Sequence, residues 1–277
     1  MSAPRARLDA ELVRRGLARS REQAGELVTA GLVAVAGQRA SKPATQVARD
    51  APITVTDSAD PGYVSRGGRK LAGALAAFGD LIVEGRDALD AGASTGGFTD
   101  VLLRAGAAHV VAADVGYGQL AWSLRTDPRV TVMDRVNVRA LGPVTPVPDL
   151  VVADLSFISL TLVLPALVAA AAPEADFVLL VKPQFEVGKG RVGAGGVVRD
   201  TLDRSASIEK VAGAAAELGL GVRGITASPL PGPAGNVEYF LWLRRGAPPL
   251  EAEQLRRALA GGPGGVVLPG QHEEGPH

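Results

Sequence analysis

The stretch Asp90-Ala-Gly-Ala-Ser-Thr-Gly-Gly-Phe98 decides the fold. An apolar strand leads into three glycines, and a helix begins directly behind them. Such a loop lets backbone N–H groups and the positive end of a helix approach a ligand closely. The stretch therefore predicts a ligand-binding loop at the carboxyl end of a strand, with a glycine-rich turn that binds nothing as the alternative.

Helices and apolar strands alternate on both sides of this loop from residue 64 onward. The pattern predicts strands at 87–92, 109–115, 130–133, 149–155, 177–183, 222–228 and 238–243. It predicts helices near 69–78, 97–105, 118–125, 160–172 and 201–219. We therefore expect a doubly wound α/β fold with a seven-stranded, mostly parallel sheet. A Pro- and Gly-rich loop without a helix precedes the last strand, which predicts that this strand is antiparallel.

The front of the chain has a different character. Residues 1–60 show two short helical patterns and several short strands, which predict a small α+β domain. Residues 1–70 hold twelve Lys and Arg against seven Asp and Glu, and the rest of the chain is acidic. A basic front predicts contact with a polyanion, although charges can also gather by chance on a solvated surface. We place a linker at 61–64, the α/β domain at 65–246, and a partly disordered extension at 247–277.

Composition excludes several classes of protein. The chain has 277 residues, no cysteine and three histidines, so disulfides and thiolate sites are excluded and we expect no metal centre. No apolar run approaches the roughly 20 residues that span a bilayer. The first residues also lack the apolar segment of a secretory signal. These features predict a cytoplasmic protein that does not bind a membrane.

The chemistry of the glycine loop separates two nucleotide ligands. Asp114 ends the second strand about twenty residues further on, where an acidic side chain binds ribose hydroxyls. The glycine spacing does not fit the G-x-G-x-x-G pattern of dinucleotide sites. Asp90 at the strand end opposes a pyrophosphate but suits the ammonium of a methionine moiety. The loop therefore predicts S-adenosylmethionine, with an NAD-dependent oxidoreductase as the weaker alternative.

Further charged residues stand at predicted strand ends. Asp154 and Lys182 each follow an apolar strand, and Glu238 opens the antiparallel one, so all three should reach the carboxyl edge of the sheet. A helix cap for Asp154 and a solvated lysine for Lys182 are the alternatives. Upstream, Lys70 begins a helix after a loop with Arg66 and Arg69, which either contact phosphates or lie on a solvated hinge.

Together these motifs resemble a known family. The segments SRGGRKL, DAGASTGGFTD, ADVGYGQL, VVADLSFISL, LLVKPQFEVGKG and NVEYF are similar to those of the TlyA family of ribosomal RNA 2′-O-methyltransferases. The N-terminal RLDAELVRRGLARSREQAGELVTAGLVAVAG resembles the S4-type RNA-binding domain of that family. The resemblance implies methyl transfer from S-adenosylmethionine to the 2′-hydroxyl of a cytidine in large-subunit rRNA, and in some members also in small-subunit rRNA.

The resemblance also implies roles for individual residues. The family's catalytic set falls on Lys70, Asp154, Lys182 and Glu238. We expect Lys182 to hold the ribose oxygen, Asp154 and Glu238 to fix its ammonium, and Lys70 to complete the network. The predicted cofactor-binding residues are Asp90, Gly92, Ser94, Thr95, Gly96, Gly97, Phe98 and Asp114, with Asp134 and Asn137 on the adenine side.

The expected partner is ribosomal RNA within a ribosomal subunit, bound by a monomer. The candidate phosphate contacts are Arg7, Arg14, Arg15, Arg19, Arg21, Arg66 and Arg69. Two other functions stay open at this point. One is an RNA-binding protein that no longer catalyses, and the other is a haemolysin, a label that some relatives carry.

Overall fold

The computed structural model describes residues 5–18, 20–29, 31–55 and 62–262. The chain divides into two compact units, Met1–Gly62 and Tyr63–His277. This boundary falls inside the stretch 61–64 that we predicted as a linker. In the extension 247–277, which we expected to be partly disordered, Ala252–Ala260 form a helix, and residues 263–277 lie outside the described residues.

The first unit is a small α+β domain. Its elements are β1 (Arg5–Arg7), α1 (Leu8–Arg14), α2 (Arg21–Thr29), β2 (Val33–Val35), β3 (Gln38–Arg39), β4 (Gln46–Ala48) and β5 (Ile53–Val55). Strand β1 pairs with β4, and β2 lies between β3 and β5; all of these pairings are antiparallel. Helical spacing puts Leu8 and Leu12 on one face of α1, and both pack into a core with Leu27 and Val28 of α2.

The second unit alternates strands and helices as its sequence predicts. Its strands are β6 (Asp87–Ala91), β7 (His109–Asp114), β8 (Val130–Asp134), β9 (Leu150–Ala153), β10 (Asp176–Val181), β11 (Leu220–Ala227) and β12 (Tyr239–Arg245). Its helices are α3 (Arg66–Ala77), α4 (Gly97–Arg104), α5 (Trp122–Arg125), α6 (Leu160–Ala170), α7 (Pro183–Glu186), α8 (Thr201–Glu217) and α9 (Ala252–Ala260).

Seven strands form one sheet in the order β11-β12-β10-β9-β6-β7-β8. Strands β6 to β10 are parallel, and β12 is antiparallel to both of its neighbours, as predicted. From β6 the chain first winds outward through β7 and β8, and then returns to β9 on the other side. The crevice between the carboxyl ends of β6 and β9 is thus the topological switch point, where open α/β sheets bind ligands.

Helices cover both faces of this sheet. In β10, Phe177 and Leu179 pack under α6, α8 and α9, whereas Val178 and Leu180 pack under α3 and α4. A strand buried on both faces reads as a continuous apolar run, which is how β10 appears in the sequence. The predicted α/β class is confirmed. Within the described ranges, no helix is both long and apolar enough to cross a membrane.

Two of the five predicted helices begin at a residue other than the predicted one. Helix α3 begins at Arg66, three residues before the predicted start, although Gly67 and Gly68 are poor helix formers. Close packing explains this, since a Cβ on Gly68 would lie 3.1 Å from the backbone oxygen of Gly97 at the start of α4. Helix α5 is one turn long and begins at Trp122 instead of near 118, because Gly118 is in a left-handed conformation with φ +65°.

Candidate active site

The loop between β6 and α4 contains two glycines in left-handed conformation. Gly92 has φ +88° and Gly96 has φ +97°, values that other residues rarely adopt. A Cβ on Gly92 would also lie 2.6 Å from the backbone oxygen of Asp154, directly after β9. Glycine at this position therefore lets the loop pack directly against the segment that follows β9. Ser94 and Thr95, at the tip of the loop, are exposed.

Asp114 ties this loop to the end of β7. Its carboxylate accepts hydrogen bonds from the backbone N–H of Ser94 at 2.9 Å and of Gly116 at 2.6 Å. The side chain spans the carboxyl ends of two neighbouring strands, as a residue at this edge should. Asp114 therefore holds the glycine loop in place, and it is itself half-buried at the crevice.

Asp90 is a fully buried carboxylate beneath the loop. Its Oδ2 accepts a hydrogen bond of 2.7 Å from Thr99 Oγ1, whereas Oδ1 receives none from the described residues. Burial raises the pKa of Asp90 to about 7; the Thr99 hydrogen bond opposes the rise, and the charge of Asp154 adds to it. The strand-end position suggested an accessible carboxylate, but this one lies inside the protein with one acceptor atom unused.

Gly97 and Phe98 are placed by packing. Phe98 is 3% exposed, and its ring centroid lies 6.0 Å from that of Phe240. A Cβ on Gly97 would collide with Ser65 Oγ beside α3. The Phe98 side chain fills the core, and Gly97 lets α3 approach α4. A contact between the cofactor and the backbone of either residue remains a prediction.

The first of two ion pairs at this edge joins Lys182 and Asp154. Lys182 follows β10 and Asp154 follows β9, and Lys182 Nζ lies 2.6 Å from Asp154 Oδ1. The same ammonium donates a hydrogen bond of 2.9 Å to Ser156 Oγ. The Lys182 side chain is 9% exposed and that of Asp154 is 21% exposed, so the pair lies just under the surface.

The second ion pair joins Lys70 of α3 and Glu238, the residue before β12. Lys70 Nζ lies 2.6 Å from Glu238 Oε2, and both side chains are buried. We expected Glu238 to fix the ammonium of Lys182, and this expectation is wrong. Glu238 binds Lys70, because α3 packs beside the start of β12 and brings a nearer ammonium to it.

Sheet register brings both pairs to the same edge. Val181 of β10 pairs with Tyr239 of β12, so the next residue of one strand adjoins the preceding residue of the other. Leu179 of β10 pairs with Ala153 of β9, which places the ends of these two strands together as well. Four charged side chains that are far apart in the sequence therefore meet beside the glycine loop, in two lysine–carboxylate pairs.

Comparisons with known proteins agree with this geometry. The sequence model of the FtsJ-like methyltransferase family matches residues 63–245, and that of the S4 domain matches residues 6–53. The chain is 61% identical, over 94% of its own length and all of the relative's, to the 16S/23S rRNA (cytidine-2′-O)-methyltransferase TlyA of Mycobacterium tuberculosis.

The chain belongs to the TlyA family of FtsJ-like methyltransferases.

Other TlyA relatives carry a different name. Hemolysin A of Brachyspira hyodysenteriae is 37% identical over 84% of this chain and 98% of its own. The solved structure of a haemolysin-named protein from Streptococcus thermophilus is 40% identical, covers 93% of this chain and 96% of its own, and has a TM-score of 0.72. The similarity therefore extends over both units of this chain.

The residues at the crevice fit the methyl donor of the TlyA family, S-adenosylmethionine. The unused Oδ1 of buried Asp90 leaves an acceptor for a donor group such as an ammonium. The missing Cβ at Gly92 brings the glycine loop against the segment that carries Asp154, and Asp114 stands at the next strand end. These three features suit a cationic amino acid joined to a nucleoside.

The two residues predicted on the adenine side are held by their own chain. Asp134 ends β8, and its Oδ2 lies 2.6 Å from an Nη of Arg125 in α5. The exposed Asn137 accepts a hydrogen bond of 3.0 Å from the backbone N–H of Arg139 and so caps a short 3₁₀ turn. A contact with adenine at either position remains a prediction.

In the first unit, buried carboxylates hold the predicted RNA-binding arginines. Asp9 lies 2.7 Å from an Nη of Arg7 and 3.0 Å from an Nη of Arg21, whose side chains are 45% and 60% exposed. Glu11 lies 2.5 Å from an Nη of Arg14, whose side chain is 52% exposed. These arginines are anchored at one side and open to solvent at the other. Arg19 lies outside the described residues.

Arg15 differs from the other arginines of this set. Its Nε lies 2.8 Å from Glu11, and its two Nη groups donate to the backbone oxygens of Ala51 and Arg49, each at 2.7 Å. Only 20% of the side chain is exposed. The guanidinium therefore ties α1 to the segment before β5, which makes Arg15 a structural residue.

The two arginines next to Lys70 lie in the first turn of α3. An Nη of Arg66 donates a hydrogen bond of 3.0 Å to the backbone oxygen of Pro231, in the loop before β12. Arg69 is half-buried and also has a bonding partner. Arg66 thus holds the loop that leads to Glu238, while phosphate contact by either residue remains a prediction.

Sequence reasoning did not identify two residues of the site. Ser156 binds the Lys182 ammonium, and its position two residues after Asp154 in the same strand-end segment was the available signal. Buried Asn236 accepts from the backbone N–H of Val198 and donates to the backbone oxygen of Gly196. Asn236 thereby joins the glycine-rich loop before α8 to the start of β12, a contact that no local pattern predicts.

Proposed function

We propose that this protein methylates the ribose 2′-hydroxyl of a cytidine in 23S rRNA, with 16S rRNA as a second substrate. The observation that carries the proposal is the ammonium of Lys182, bound by Asp154 and Ser156 at the switch-point edge of a methyltransferase fold. The name of the M. tuberculosis relative, at 61% identity over 94% of this chain, supports both rRNA substrates.

The reaction needs alignment and stabilisation of a weak nucleophile. S-adenosylmethionine, when bound, supplies an electrophilic methyl group on a sulfonium. Lys182 orients the ribose oxygen by donating an N–H to it, and stabilises the negative charge that develops there as the O–CH₃ bond forms and the methyl–sulfur bond breaks. The hydroxyl proton is released to water at this partly exposed edge. We assign Lys182 the role of hydrogen-bond donor to the ribose oxygen, with its Nζ held 2.6 Å from Asp154 Oδ1 and 2.9 Å from Ser156 Oγ.

The second pair and the first unit complete the proposal. Lys70 and Glu238 are buried at the same edge, where they hold the charge balance around the reacting oxygen. The first unit, Met1–Gly62, which we call the S4 unit, supplies affinity for rRNA through arginine contacts with phosphates. Such contacts make RNA binding strongly salt-dependent. Recognition of one cytidine in folded rRNA further requires the shape of the RNA and an extruded nucleotide.

A labelled methyl-transfer assay tests this function. Purified 30S and 50S subunits that lack the modification are incubated with S-adenosylmethionine, and the product nucleoside is identified by mass spectrometry. We expect 2′-O-methylcytidine with the native chain and a loss of about 10²–10³ in rate with Lys182→Ala. Arg256→Ala serves as the control, because Arg256 is an exposed cation of α9 that pairs with Glu253 in the same helix.

Two results would contradict the proposal. Native-like turnover by Lys182→Ala would remove the assignment of that residue. Absence of label on both subunits, while S-adenosylmethionine still binds, would favour an RNA-binding protein without catalysis.

We further propose that the protein acts as a monomer in the cytoplasm, where its rRNA substrate is found. Both ion pairs and the glycine loop come from one chain, so the site is complete without a second copy. Light scattering of the active protein should give the mass of one chain, 28.3 kDa. A dimer mass would contradict this assignment.

A further inference from the structure

The carboxylate of Asp9 joins two elements of the S4 unit. Asp9 is in the first turn of α1 and is 4% exposed. Arg7 of β1 approaches it side-on, with Nε 3.0 Å from Oδ1 and an Nη 2.7 Å from Oδ2. Arg21, the first residue of α2, adds an Nη 3.0 Å from Oδ2. One buried carboxylate thus fixes two arginines that lie fourteen residues apart.

Each arginine keeps donors beyond those that Asp9 takes. A guanidinium has five N–H donors in a rigid plane. Arg7 places two of them on Asp9 and Arg21 places one, while about half of each side chain stays exposed. Two guanidinium planes therefore stand at fixed positions with donors left over, an arrangement that suits the oxygens of a nucleic-acid phosphate.

We propose that Asp9 is a positioning residue for RNA binding, which holds Arg7 and Arg21 as a preformed receptor for backbone phosphate. The proposal rests on the RNA-binding function given to this unit above. A long exposed arginine loses conformational freedom when it binds, and one that is already anchored loses less. Asp9 therefore strengthens the binding of a polyanion although it is itself negatively charged.

Whether a substitution of Asp9 strengthens or weakens RNA binding distinguishes a positioning role from a simple effect of charge. Asp9→Asn keeps the size of the side chain and an oxygen that can accept from the backbone N–H of Ala10, now 2.8 Å from Asp9 Oδ1. It removes one negative charge beside the RNA, which by charge alone would tighten binding and steepen the salt dependence. Loss of the preformed pair would instead weaken binding and flatten the salt dependence.

The experiment measures co-sedimentation of the full chain with 50S subunits that lack the modification, across a range of salt. We expect Asp9→Asn to bind about threefold to tenfold more weakly than the native chain. Glu22→Gln is the charge control, because Glu22 is an exposed carboxylate at the start of α2. This control should bind slightly more tightly.

A second variant tests the idea without touching a buried residue. Arg7→Lys keeps the positive charge but loses the planar fork, so its binding should also fall several-fold. Native-like or tighter binding by both Asp9→Asn and Arg7→Lys would overturn the positioning role. Unchanged binding by Arg7→Ala and Arg21→Ala would instead remove the RNA-binding role of this face, a separate failure of the proposed function.

Discussion

The two units bury carboxylates in opposite ways. In the S4 unit, Glu11 is 1% exposed, and hydrogen bonds from Arg14 and Arg15 lower its pKa to about 2. In the methyltransferase unit, Asp90 is also fully buried, but its strongest hydrogen bond comes from the neutral hydroxyl of Thr99, and burial raises its pKa to about 7. The same chemical group thus titrates about five pH units apart in one chain.

Partners and desolvation both account for the difference, because hydrogen bonds from arginines are the main cause of the low pKa of Glu11 and desolvation is the main cause of the raised pKa of Asp90. Cationic donors hold a carboxylate in its charged form, whereas desolvation without a cation favours the neutral form. In the first unit the two buried carboxylates, Asp9 and Glu11, bind arginines of the same unit. At the sheet edge, Asp90 keeps one oxygen without a donor among the described residues, as a ligand site requires. The contrast separates carboxylates that bind arginines of the fold from a carboxyl group that keeps an acceptor oxygen.

The largest effect should come from Asp90→Asn. A carboxyl group with a higher pKa in the folded state binds more protons when folded, so the free energy of unfolding falls as pH rises from about 4 to 7. The effect is at most about 4 kcal/mol. Asn removes this dependence and keeps an acceptor for Thr99. Thermal melts followed by tryptophan fluorescence report on this unit, because both tryptophans, Trp122 and Trp242, lie in it.

The same variant, Asp90→Asn, also tests the role of Asp90 Oδ1. If Oδ1 accepts from the methyl donor, Asp90→Asn weakens S-adenosylmethionine binding in calorimetry, since an amide N–H₂ then stands where the acceptor was. If Asp90→Asn left both the pH dependence of stability and the binding of S-adenosylmethionine unchanged, the contrast between Asp90 and Glu11 would be contradicted.

A smaller effect is expected from Glu11→Gln, in the S4 unit. Removing the carboxylate leaves Arg14 and Arg15 without their shared partner, which should lower the melting temperature of this unit by on the order of 5–10 °C at pH 7. A depressed pKa adds stability above the unfolded value, and this stability is lost as pH falls from about 4.5 towards 2. Hydrogen exchange of the α1 amides across pH measures both effects.

The Glu11→Gln prediction has a matched control and a clear contradicting outcome. Glu22→Gln, at an exposed position, should leave the exchange rates of α1 unchanged. If Glu11→Gln melts like the native chain at pH 7, the carboxylate does not stabilise the fold and the contrast with Asp90 fails.

The smallest effect separates the two arginines that share Glu11. Arg14→Ala should weaken RNA binding and reduce the salt slope by about one, as for the loss of one phosphate contact, because its side chain is 52% exposed. Arg15→Ala should destabilise the S4 unit and leave the salt slope unchanged, since its donors bind the backbone near β5. Binding at several salt concentrations decides this, and equal slopes for the two variants would contradict it.

Much of the fold follows from patterns that the sequence shows directly. Strand β10 is a continuous apolar run because it is buried on both faces, and α1 has apolar residues at helical spacing because it is buried on one face. Both elements can therefore be predicted from the sequence. The ends of α3 and α5 are less predictable. Glycines near a helix start read as a loop, yet at Gly68 they allow one helix to pack closely on another.

At the site, the residue types were predictable and their pairing was not. Asp154, Lys182 and Glu238 stand at strand ends, so their shared edge follows from parallel topology. That Glu238 binds Lys70 depends on how α3 packs beside β12, over a separation of 168 residues. The buried state of Asp90 depends in the same way on α4 closing over the loop.

The sequence alone determined the class of fold, the two units, the glycine loop and the set of charged residues, because apolar periodicity and strand-end chemistry are local properties. Only the tertiary structure decided which charges pair, which arginines bind the fold itself, and which buried carboxylates, Asp90 and Glu238 among them, keep an oxygen without a donor from the described residues. Those outcomes depend on distances of a few ångströms between elements far apart in the chain, and Coulomb energy and desolvation both change steeply over such distances.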